Sequence, residues 1–303
     1  MIRALVTGCR GQVGAELVRS LEGRADVVAR DRAALDLADP GAIIRCVREE
    51  RPRLILNAGA YTAVDKAESE LEAARAVNAH GPGVLAEEAK RSGALLVHFS
   101  TDYVFDGTKK TPYCETDSTN PVNAYGLTKL EGEAAIAASR CDHLVLRTSW
   151  VYGPRGKNFL LTMLRLAATQ SEIRVVDDQH GAPTSSRQIA RAVVDLVMGA
   201  DCERPIVEGD LGRLRAASGL YHASAAGATT WFEFARAIFA EHAHRPGRAF
   251  TVPRVVAIST REYPTPARRP ANSVLSCAKL AEAFGVRLAD WREGLRETIS
   301  ALE

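Results

Sequence analysis

Tyr125 and Lys129 form the residue pair in this sequence best suited to proton transfer. In a helix, a spacing of four residues places both side chains on one face. An ammonium group beside a phenol favours the phenolate and lowers the tyrosine pKa from about 10 toward neutral pH. Such a phenol can protonate a carbonyl oxygen as it becomes an alkoxide. Taken alone, the pair is equally typical of a helix surface.

Hydroxyl and small side chains follow two apolar runs elsewhere in the chain. Ser100, Thr101 and Asp102 come after the run Leu95 to Phe99, and the small residues of Asn57 to Tyr61 follow another run. In open α/β sheets, ligands bind at the carboxyl ends of parallel strands. A hydroxyl from Ser100 or Thr101 can therefore hold a substrate oxygen beside the tyrosine, and small residues let a cofactor lie against the backbone.

A glycine triplet lies at the first turn, in the sequence Thr7-Gly8-Cys9-Arg10-Gly11-Gln12-Val13-Gly14. It follows a short apolar run and opens a segment with helical spacing. A tight turn, a close approach of pyrophosphate to the backbone and an adjacent helix each favour residues without a Cβ. The free N–H groups of the helix then face the phosphates. The pattern predicts a dinucleotide site, although a plain strand–helix turn has similar glycines.

Charged residues after the second apolar run suit the adenosine end of that dinucleotide. Asp31 can hold the ribose 2′-hydroxyl of NADH, whereas the flanking Arg30 and Arg32 can accept the 2′-phosphate of NADPH. The arginines are equally typical of a solvated loop. Asp36 and Leu37 are weaker candidates for the adenine pocket.

The elements that must position these groups follow an alternating pattern in the first half of the chain. Helical segments separate five apolar runs: Ile2 to Thr7, Val27 to Ala29, Leu54 to Leu56, Leu95 to Phe99 and Leu144 to Leu146. This pattern predicts an α/β protein with a doubly wound parallel Rossmann-type sheet. Beyond residue 150 a helix is predicted over Ser186 to Met198, and the polar stretch 201–218 is expected to be a surface excursion. We expect a nucleotide-binding domain over 1–150 and roughly 171–225, and a smaller, mostly helical α/β substrate domain over roughly 151–170 and 226–303.

Composition excludes several classes of function. The 303 residues carry 39 basic and 37 acidic side chains, a formal charge of +2, so charge gives no reason to expect nucleic-acid binding. No apolar run approaches the roughly 18 residues that span a bilayer, and the first residues resemble a strand more than a signal peptide. The cysteines are widely spaced, which favours reduced thiols and the cytosol. They are Cys9, Cys46, Cys114, Cys141, Cys202 and Cys277.

Together these motifs resemble the extended short-chain dehydrogenases/reductases and, within them, the dTDP-4-dehydrorhamnose reductase family. The glycine turn and the segment Tyr125 to Lys129 are shared by the whole superfamily. Asn57 to Glu68 and Ser100 to Gly107 also match, and the more specific segments are Arg147 to Gly153, Asp178 to Thr184 and Pro264 to Ser273. The resemblance covers nearly the whole chain.

The resemblance implies an NADPH- or NADH-dependent oxidoreductase that reduces the C4 keto group of dTDP-4-dehydrorhamnose, the last step of dTDP-rhamnose biosynthesis for cell-surface polysaccharides. It implies that Tyr125 donates the proton, that Lys129 binds the nicotinamide ribose and that Thr101 assists. Thr101, Asp102 and Trp150 would contact the sugar. The cofactor residues would be Gly8, Gly11, Gln12, Val13, Gly14, Asp31, Arg32, Asp36, Leu37, Ala60, Tyr61 and Thr62, with Tyr125 and Lys129.

Three positions leave room for different interpretations. Arg268 and Arg269 lie between prolines and suit a nucleotide-sugar diphosphate, or they are a solvated pair. Trp150 is otherwise typical of a core aromatic. Some family members bridge two subunits through Mg²⁺, but Arg187 stands where a third carboxylate would join Glu16 and Asp290. A cation there opposes metal binding, so we expect no Mg²⁺ and an ion pair of Arg187 with Glu16 or Asp290, within one chain or across a possible homodimer.

Two other classes of function share this pattern. One is a non-catalytic NAD(P)-binding regulatory subunit on the same fold. The other is a different nucleotide-sugar reductase, an epimerase or a 4,6-dehydratase, although Asp102 is followed by Tyr103 rather than by the second carboxylate that a dehydratase needs. The Thr101, Tyr125 and Lys129 set favours an enzyme.

Overall fold

A computed structural model describes residues 1–199, 204–245 and 250–302. Its first half contains β1 (Arg3–Thr7), α1 (Gln12–Leu21), β2 (Asp26–Arg30), α2 (Pro40–Glu50), β3 (Leu54–Asn57), α3 (Val64–Ala67), α4 (Leu71–Arg75), α5 (Gly81–Ser92), β4 (Leu95–Thr101), α6 (Ala124–Ser139) and β5 (His143–Thr148). A π-helical turn, Ala76–His80, joins α4 to α5. All five predicted apolar runs are strands.

The second half is less regular. Its elements are β6 (Val151–Tyr152), α7 (Phe159–Ala167), β7 (Glu172–Val176), β8 (His180–Gly181), β9 (Thr184–Ser185), α8 (Ser186–Met198), α9 (Leu211–Ala216), β10 (Gly219–His222), β11 (Thr229–Thr230), α10 (Trp231–Ala243), β12 (Arg254–Ile258), α11 (Ala278–Phe284) and α12 (Trp291–Ser300). The predicted helix α8 has the predicted bounds because Ser185 and Gln188 form a capping box at its start.

Six parallel strands form the main sheet in the order β10-β5-β4-β3-β1-β2. This confirms the predicted doubly wound sheet. Because β1 pairs with both β2 and β3, the chain changes direction across the sheet at β1. In such sheets the crevice at the switch point receives the ligand. The glycine turn, the end of β3 and the end of β4 all lie at this edge.

Two apolar layers cover the sheet. All four residues of β3 and all seven of β4 are buried, as strands covered on both faces require. Helices α1 and α8 pack on one face, and α2, α5 and α6 pack on the other.

A separate apolar cluster lies outside the sheet. Phe234 and Phe239 of α10, Trp291 of α12 and Leu160 of α7 belong to it. Strand β7 also packs there and pairs with β12, whereas the sequence assigns β7 to the nucleotide-binding domain. Helix α11, which the sequence assigns to the substrate domain, packs against the main sheet instead. The division into two domains stays a prediction.

The expected surface excursion is partly wrong. Ile206, Leu211 and Leu214 are fully buried against the first apolar layer, and residues 211–216 form a helix. Residues 200–203, which include Cys202, lie outside the described part of the chain. Strand β12 was not predicted, although its residues Val255 to Ile258 are apolar. None of the helices within the described residues combines the length and apolarity needed to cross a membrane.

Candidate active site

A cavity of about 800 Å³ follows the carboxyl ends of β1, β3 and β4. It brings together most of the predicted site: Gly8, Gly11, Gln12, Val13, Asp31, Arg32, Asp36, Leu37, Ala60, Tyr61, Thr62, Thr101, Asp102, Tyr125, Lys129 and Trp150. Gly14, Arg268 and Arg269 do not line it. The volume lies within the range of small-molecule and cofactor sites.

The glycine turn has the geometry that a dinucleotide site requires. Gly8 has a φ of +62°, and a Cβ there would lie 2.7 Å from the Cα of Gly59. A Cβ on Gly14 would lie 2.2 Å from the carbonyl oxygen of Gly8, so Gly14 serves close packing of α1 rather than ligand contact. Gly11 caps α1 without a side-chain hydrogen bond, which leaves backbone N–H groups for an anion.

Charged side chains at the far end of the cavity are arranged in pairs. The Arg10 Nε lies 2.9 Å from a carboxylate oxygen of Asp31, and Arg32 lies 3.9 Å from Asp36. Arg10 and Arg32 are each 85% exposed. They are therefore free to exchange these carboxylates for another anion at low cost.

The candidate proton donor, Tyr125, lies on the first turn of α6. Asn123 caps this helix by accepting the Gly126 N–H at 2.8 Å. Burial raises the pKa of Tyr125 to about 12, the charge of Asp102 adds to this, and Thr101 acts in the opposite direction. Thr101 and Tyr125 line the same cavity. At neutral pH the phenol keeps its proton.

Lys129 is 1% exposed and lies one turn along α6. Its Nζ donates to the carbonyl oxygen of Phe99 at 2.6 Å and lies 3.0 Å from Nε2 of His98. Burial lowers the pKa of Lys129 to about 8. The expectation that this lysine lowers the pKa of Tyr125 is wrong for the cofactor-free protein, because burial and Asp102 dominate at the phenol while His98 and Phe99 engage the amine.

Asp102 is the buried acid of the site. It is 2% exposed, and burial raises its pKa to about 7, while the nearby hydroxyls of Ser273, Thr101 and Ser149 oppose the shift. The Thr101 hydroxyl donates to its Oδ1 at 3.0 Å. Its Oδ2 atom has no hydrogen-bond partner among the described residues. A buried polar atom of this kind is normally satisfied, so the orphan oxygen suits a ligand hydroxyl.

Trp150 forms one wall of the cavity. Its φ is +47°, which is unusual for a bulky residue, and its ring stacks on Trp231. Trp150 is therefore not a simple core aromatic. Trp231 also lines the cavity, and the sequence analysis did not include it among the site residues.

The arginines between the prolines are placed differently from the prediction. Arg269 bonds both oxygens of Asp65, at 2.5 and 3.0 Å. The carbonyl oxygen of Arg268 accepts from Asn123. Arg269 thereby ties the 264–273 loop to α3, beside the cavity rather than in its lining.

Lys157 is a cavity-lining cation that sequence reasoning missed. It is exposed, and within the described residues no ion pair engages it. The next residue, Asn158, donates to Gln12 Oε1 at 2.9 Å, which anchors the lysine loop to the glycine turn. Its position next to Gly156, shortly after a strand end, is the sequence feature that could have indicated a cation at the cavity.

The candidate metal residues do not form a carboxylate cage. The Glu16 carboxylate, 2% exposed, contacts Arg19 and lies 3.9 Å from Nε of Arg187. Asp290 caps α12 and pairs with Arg292 at 3.5 Å. Across 1–199, 204–245 and 250–302 no cluster of three potential ligand side chains is found. The predicted ion pair between Arg187 and Glu16 is confirmed, while the expected lack of Mg²⁺ stays a prediction.

The parallel sheet, the glycine turn and the Tyr125–Lys129 pair at one cavity define an NAD(P)-binding Rossmann protein of the extended short-chain dehydrogenase/reductase type. A family model described as RmlD substrate binding domain matches residues 2–303, so the chain belongs to that family. This agrees with the resemblance seen in the sequence motifs.

Named relatives cover nearly the whole chain. The dTDP-4-dehydrorhamnose reductase of Burkholderia thailandensis is 51% identical over 96% of both chains. That of Escherichia coli K12 is 42% identical, over 98% of this chain and 97% of the relative. The dTDP-4-dehydrorhamnose reductase of Bacillus anthracis, solved in complex with NADP, is 33% identical over 99% of both chains, with a TM-score of 0.88.

Proposed function

We propose that this chain reduces the C4 keto group of dTDP-4-dehydrorhamnose to give dTDP-L-rhamnose, using NADPH or NADH. The observation that carries the proposal is the meeting of Thr101, Tyr125 and Lys129 with the glycine turn at one cavity. The 51% identity to a dTDP-4-dehydrorhamnose reductase names the substrate class.

Tyr125 is in the protonation state that reduction requires. When bound, the nicotinamide supplies a hydride to the carbonyl carbon. The carbonyl oxygen then needs a proton, and a phenol with a pKa raised to about 12 still holds one at neutral pH. The Thr101 hydroxyl shares this oxygen and aligns it with the phenol, while Lys129 holds the cofactor ribose.

The sugar is proposed to lie between Asp102 and Trp150. The orphan Oδ2 of Asp102 accepts a sugar hydroxyl, and the indole of Trp150 covers an apolar face of the ring. The diphosphate of the nucleotide needs a cation. Lys157 suits this role, because it lines the cavity and no ion pair engages it within the described residues, whereas Arg269 is engaged by Asp65 and Arg10 and Arg32 lie at the adenosine end.

The adenosine end of the cavity supports the use of both dinucleotides. Asp31 accepts a 2′-hydroxyl from NADH, and Arg10 and Arg32 accept the 2′-phosphate of NADPH after leaving their surface ion pairs. The same residues therefore serve both cofactors by exchanging partners.

Further parts of the proposal rest on local chemistry. Activity is independent of Mg²⁺, because two arginines already neutralise Glu16. The apolar cluster around Phe234 and Trp291 forms the core of the substrate domain. We place the enzyme in the cytosol, where its five described cysteines stay free thiols.

The decisive assay is consumption of NADPH and NADH with dTDP-4-dehydrorhamnose, with and without EDTA. We expect turnover with both cofactors, a dTDP-L-rhamnose product and no effect of EDTA. A regulatory subunit would bind the dinucleotide without turnover. An epimerase would retain bound NAD⁺ after purification and show no net consumption.

A further inference from the structure

His98 is a buried histidine that the proposed reaction leaves without a role. It lies on β4 with 0% of its surface exposed, and both ring nitrogens have partners. Nδ1 lies 2.9 Å from Nδ2 of Asn57, and Nε2 lies 3.0 Å from Nζ of Lys129. Asn57 ends β3 and Lys129 lies on α6, so the ring joins three elements beneath the cavity.

The neighbouring donors fix which ring nitrogen carries the proton. The Gly59 N–H donates to Oγ1 of Thr7 at 3.2 Å, and the Thr7 hydroxyl donates to Oδ1 of Asn57 at 2.6 Å. Nδ2 of Asn57 therefore faces His98 and donates to Nδ1. In a neutral imidazole one nitrogen accepts and the other donates, so in this arrangement the proton lies on Nε2, facing Lys129.

This arrangement describes Lys129 as a neutral amine, which accepts from Nε2–H and donates to the carbonyl oxygen of Phe99. If Lys129 were an ammonium group, its N–H and the Nε2–H of His98 would face each other as two donors without an acceptor. The charged lysine needs the ring proton on Nδ1, which in turn requires the Asn57 amide to rotate and present Oδ1 to the ring. The Thr7 hydroxyl then loses its acceptor. Protonation of Lys129 is thus coupled to a hydrogen bond at the end of β1.

We propose that His98 is a positioning residue for Lys129, which holds the amine at the cavity wall and couples its charge, through Asn57 and Thr7, to the turn that receives the cofactor. The coupling itself needs only the side chains that are hydrogen-bonded in series, which are Lys129, His98, Asn57 and Thr7. Its consequence for cofactor binding rests on the proposed function, in which Lys129 contacts the nicotinamide ribose.

The other ionisable groups around the amine do not replace this coupling. Glu133, one turn further along α6, raises the pKa of Lys129, but it is neutralised by a two-point ion pair with Arg147 of β5. Tyr125 on α6 and Asp102 after β4 line the same cavity, and the phenol is uncharged at neutral pH. Among the ionisable side chains that the structure describes, His98 is the one within hydrogen-bond distance of the amine.

The first test reads the ring of His98 in the cofactor-free wild-type protein by ¹⁵N NMR. The pKa of His98 lies well below its usual range because of burial, so the ring should stay neutral from pH 6.5 to 9.5. We expect its proton to move from Nδ1 to Nε2 as the pH rises through about 8, where Lys129 loses its charge. One unchanged tautomer at both limits, or a charged ring, would overturn the proposal.

The second test measures the Kd of NADPH against pH for two variants. Affinity should fall in the wild type as Lys129 loses its charge. In His98→Gln the amide oxygen can accept from the ammonium without the Asn57 rotation, so the fall should move up by about one pH unit. In His98→Asn the side chain reaches Asn57 but not Lys129, and NADPH should bind about tenfold more weakly at pH 7.

His222→Asn is the matched control. His222 is equally buried, but its Nδ1 faces the carbonyl oxygens of Tyr113 and Ser276. We expect this variant to keep the wild-type pH profile, and a shift equal to that of His98→Gln would contradict the proposal. If the His98 variants do not fold, the NMR measurement decides alone. If the wild type does not bind NADPH, the proposed function fails, while the ring measurement still decides the coupling.

Discussion

The indole rings of Trp150 and Trp231 stack with their centroids 3.5 Å apart and their planes 5° from parallel. Trp150 follows β5 of the main sheet, whereas Trp231 begins α10, whose apolar face packs in the separate apolar cluster outside the sheet. The stack therefore joins the sheet to this cluster at the wall of the cavity. A third residue, Gly181, completes the arrangement, because a Cβ there would lie 2.3 Å from Cε2 of Trp150.

The first prediction tests this wall through Gly181→Ala. The backbone conformation of Gly181 is open to alanine, so the added methyl group acts by displacing the Trp150 ring. The KM for the nucleotide sugar should therefore rise about tenfold while the Kd of NADPH stays unchanged. Steady-state kinetics and cofactor titration measure the two constants. Gly212→Ala is the control, since nothing lies within 4 Å of a Cβ there. Equal KM values for the two variants would show that the ring position does not matter.

The second prediction concerns Lys157→Met, which keeps the apolar stem and removes the charge. We expect kcat/KM for the nucleotide sugar to fall about tenfold, as the loss of one charge-assisted contact to phosphate implies. Arg155→Met, on the same exposed loop but outside the cavity lining, should stay near the wild-type value. If both variants lose activity equally, the effect is general electrostatics and not binding by Lys157.

The third prediction concerns a buried ion pair beneath the site. Arg147 is 3% exposed and bonds both carboxylate oxygens of Glu133, at 2.9 and 2.6 Å. Glu133→Gln leaves the guanidinium buried without its counter-charge and should lower the free energy of unfolding by about 3–5 kcal/mol. Urea denaturation measures this change.

Glu131 gives the matched comparison for that variant. Glu131 lies on α6, as Glu133 does, and pairs with Arg75 of α4 at 2.8 Å, but it is 33% exposed. Glu131→Gln should therefore lower the free energy of unfolding by less than about 1 kcal/mol. Similar losses for both substitutions would contradict the importance of burial at Glu133.

The fourth prediction follows from Asp102, whose pKa rises from 3.8 to about 7 on burial. Between these pH values the folded protein holds the proton more tightly than the unfolded chain does. Its contribution to stability is therefore complete at about pH 4 and is lost as the pH rises to about 7. Asp102→Asn should remove this decline, as thermal unfolding at pH 5 and pH 7 would show. Parallel pH profiles in both proteins would refute the shift.

The local patterns of this chain are well predicted from sequence, because they depend on neighbouring residues. The strand runs, the Ser185 cap and the glycine turn each follow from residues within one element or one turn. The strand β12 was missed because its apolar run, Val255 to Ile258, lies where the alternating pattern has ended. Its pairing with β7 depends on residues about 80 positions earlier in the chain.

Contacts between distant segments could not be predicted from the sequence. Arg269 was assigned to a diphosphate because of its charge, but Asp65, far away in the chain, holds it. The pKa of Tyr125 depends on burial and on Asp102, and the amine of Lys129 is engaged by His98. Helix spacing alone shows only which side chains share a face of the helix. The burial of a side chain and its partners from distant segments can be identified only once the fold is known.

The most direct test of the proposed reaction compares Tyr125→Phe with Tyr103→Phe in the reduction of dTDP-4-dehydrorhamnose by NADPH. The two rings meet edge to face, with centroids 6.1 Å apart, and both line the cavity. If Tyr125 supplies the proton, its variant should lose a factor on the order of 10² or more in kcat while binding NADPH normally, and Tyr103→Phe should stay within about tenfold of the wild type. A Tyr125→Phe enzyme that keeps its kcat would contradict the account.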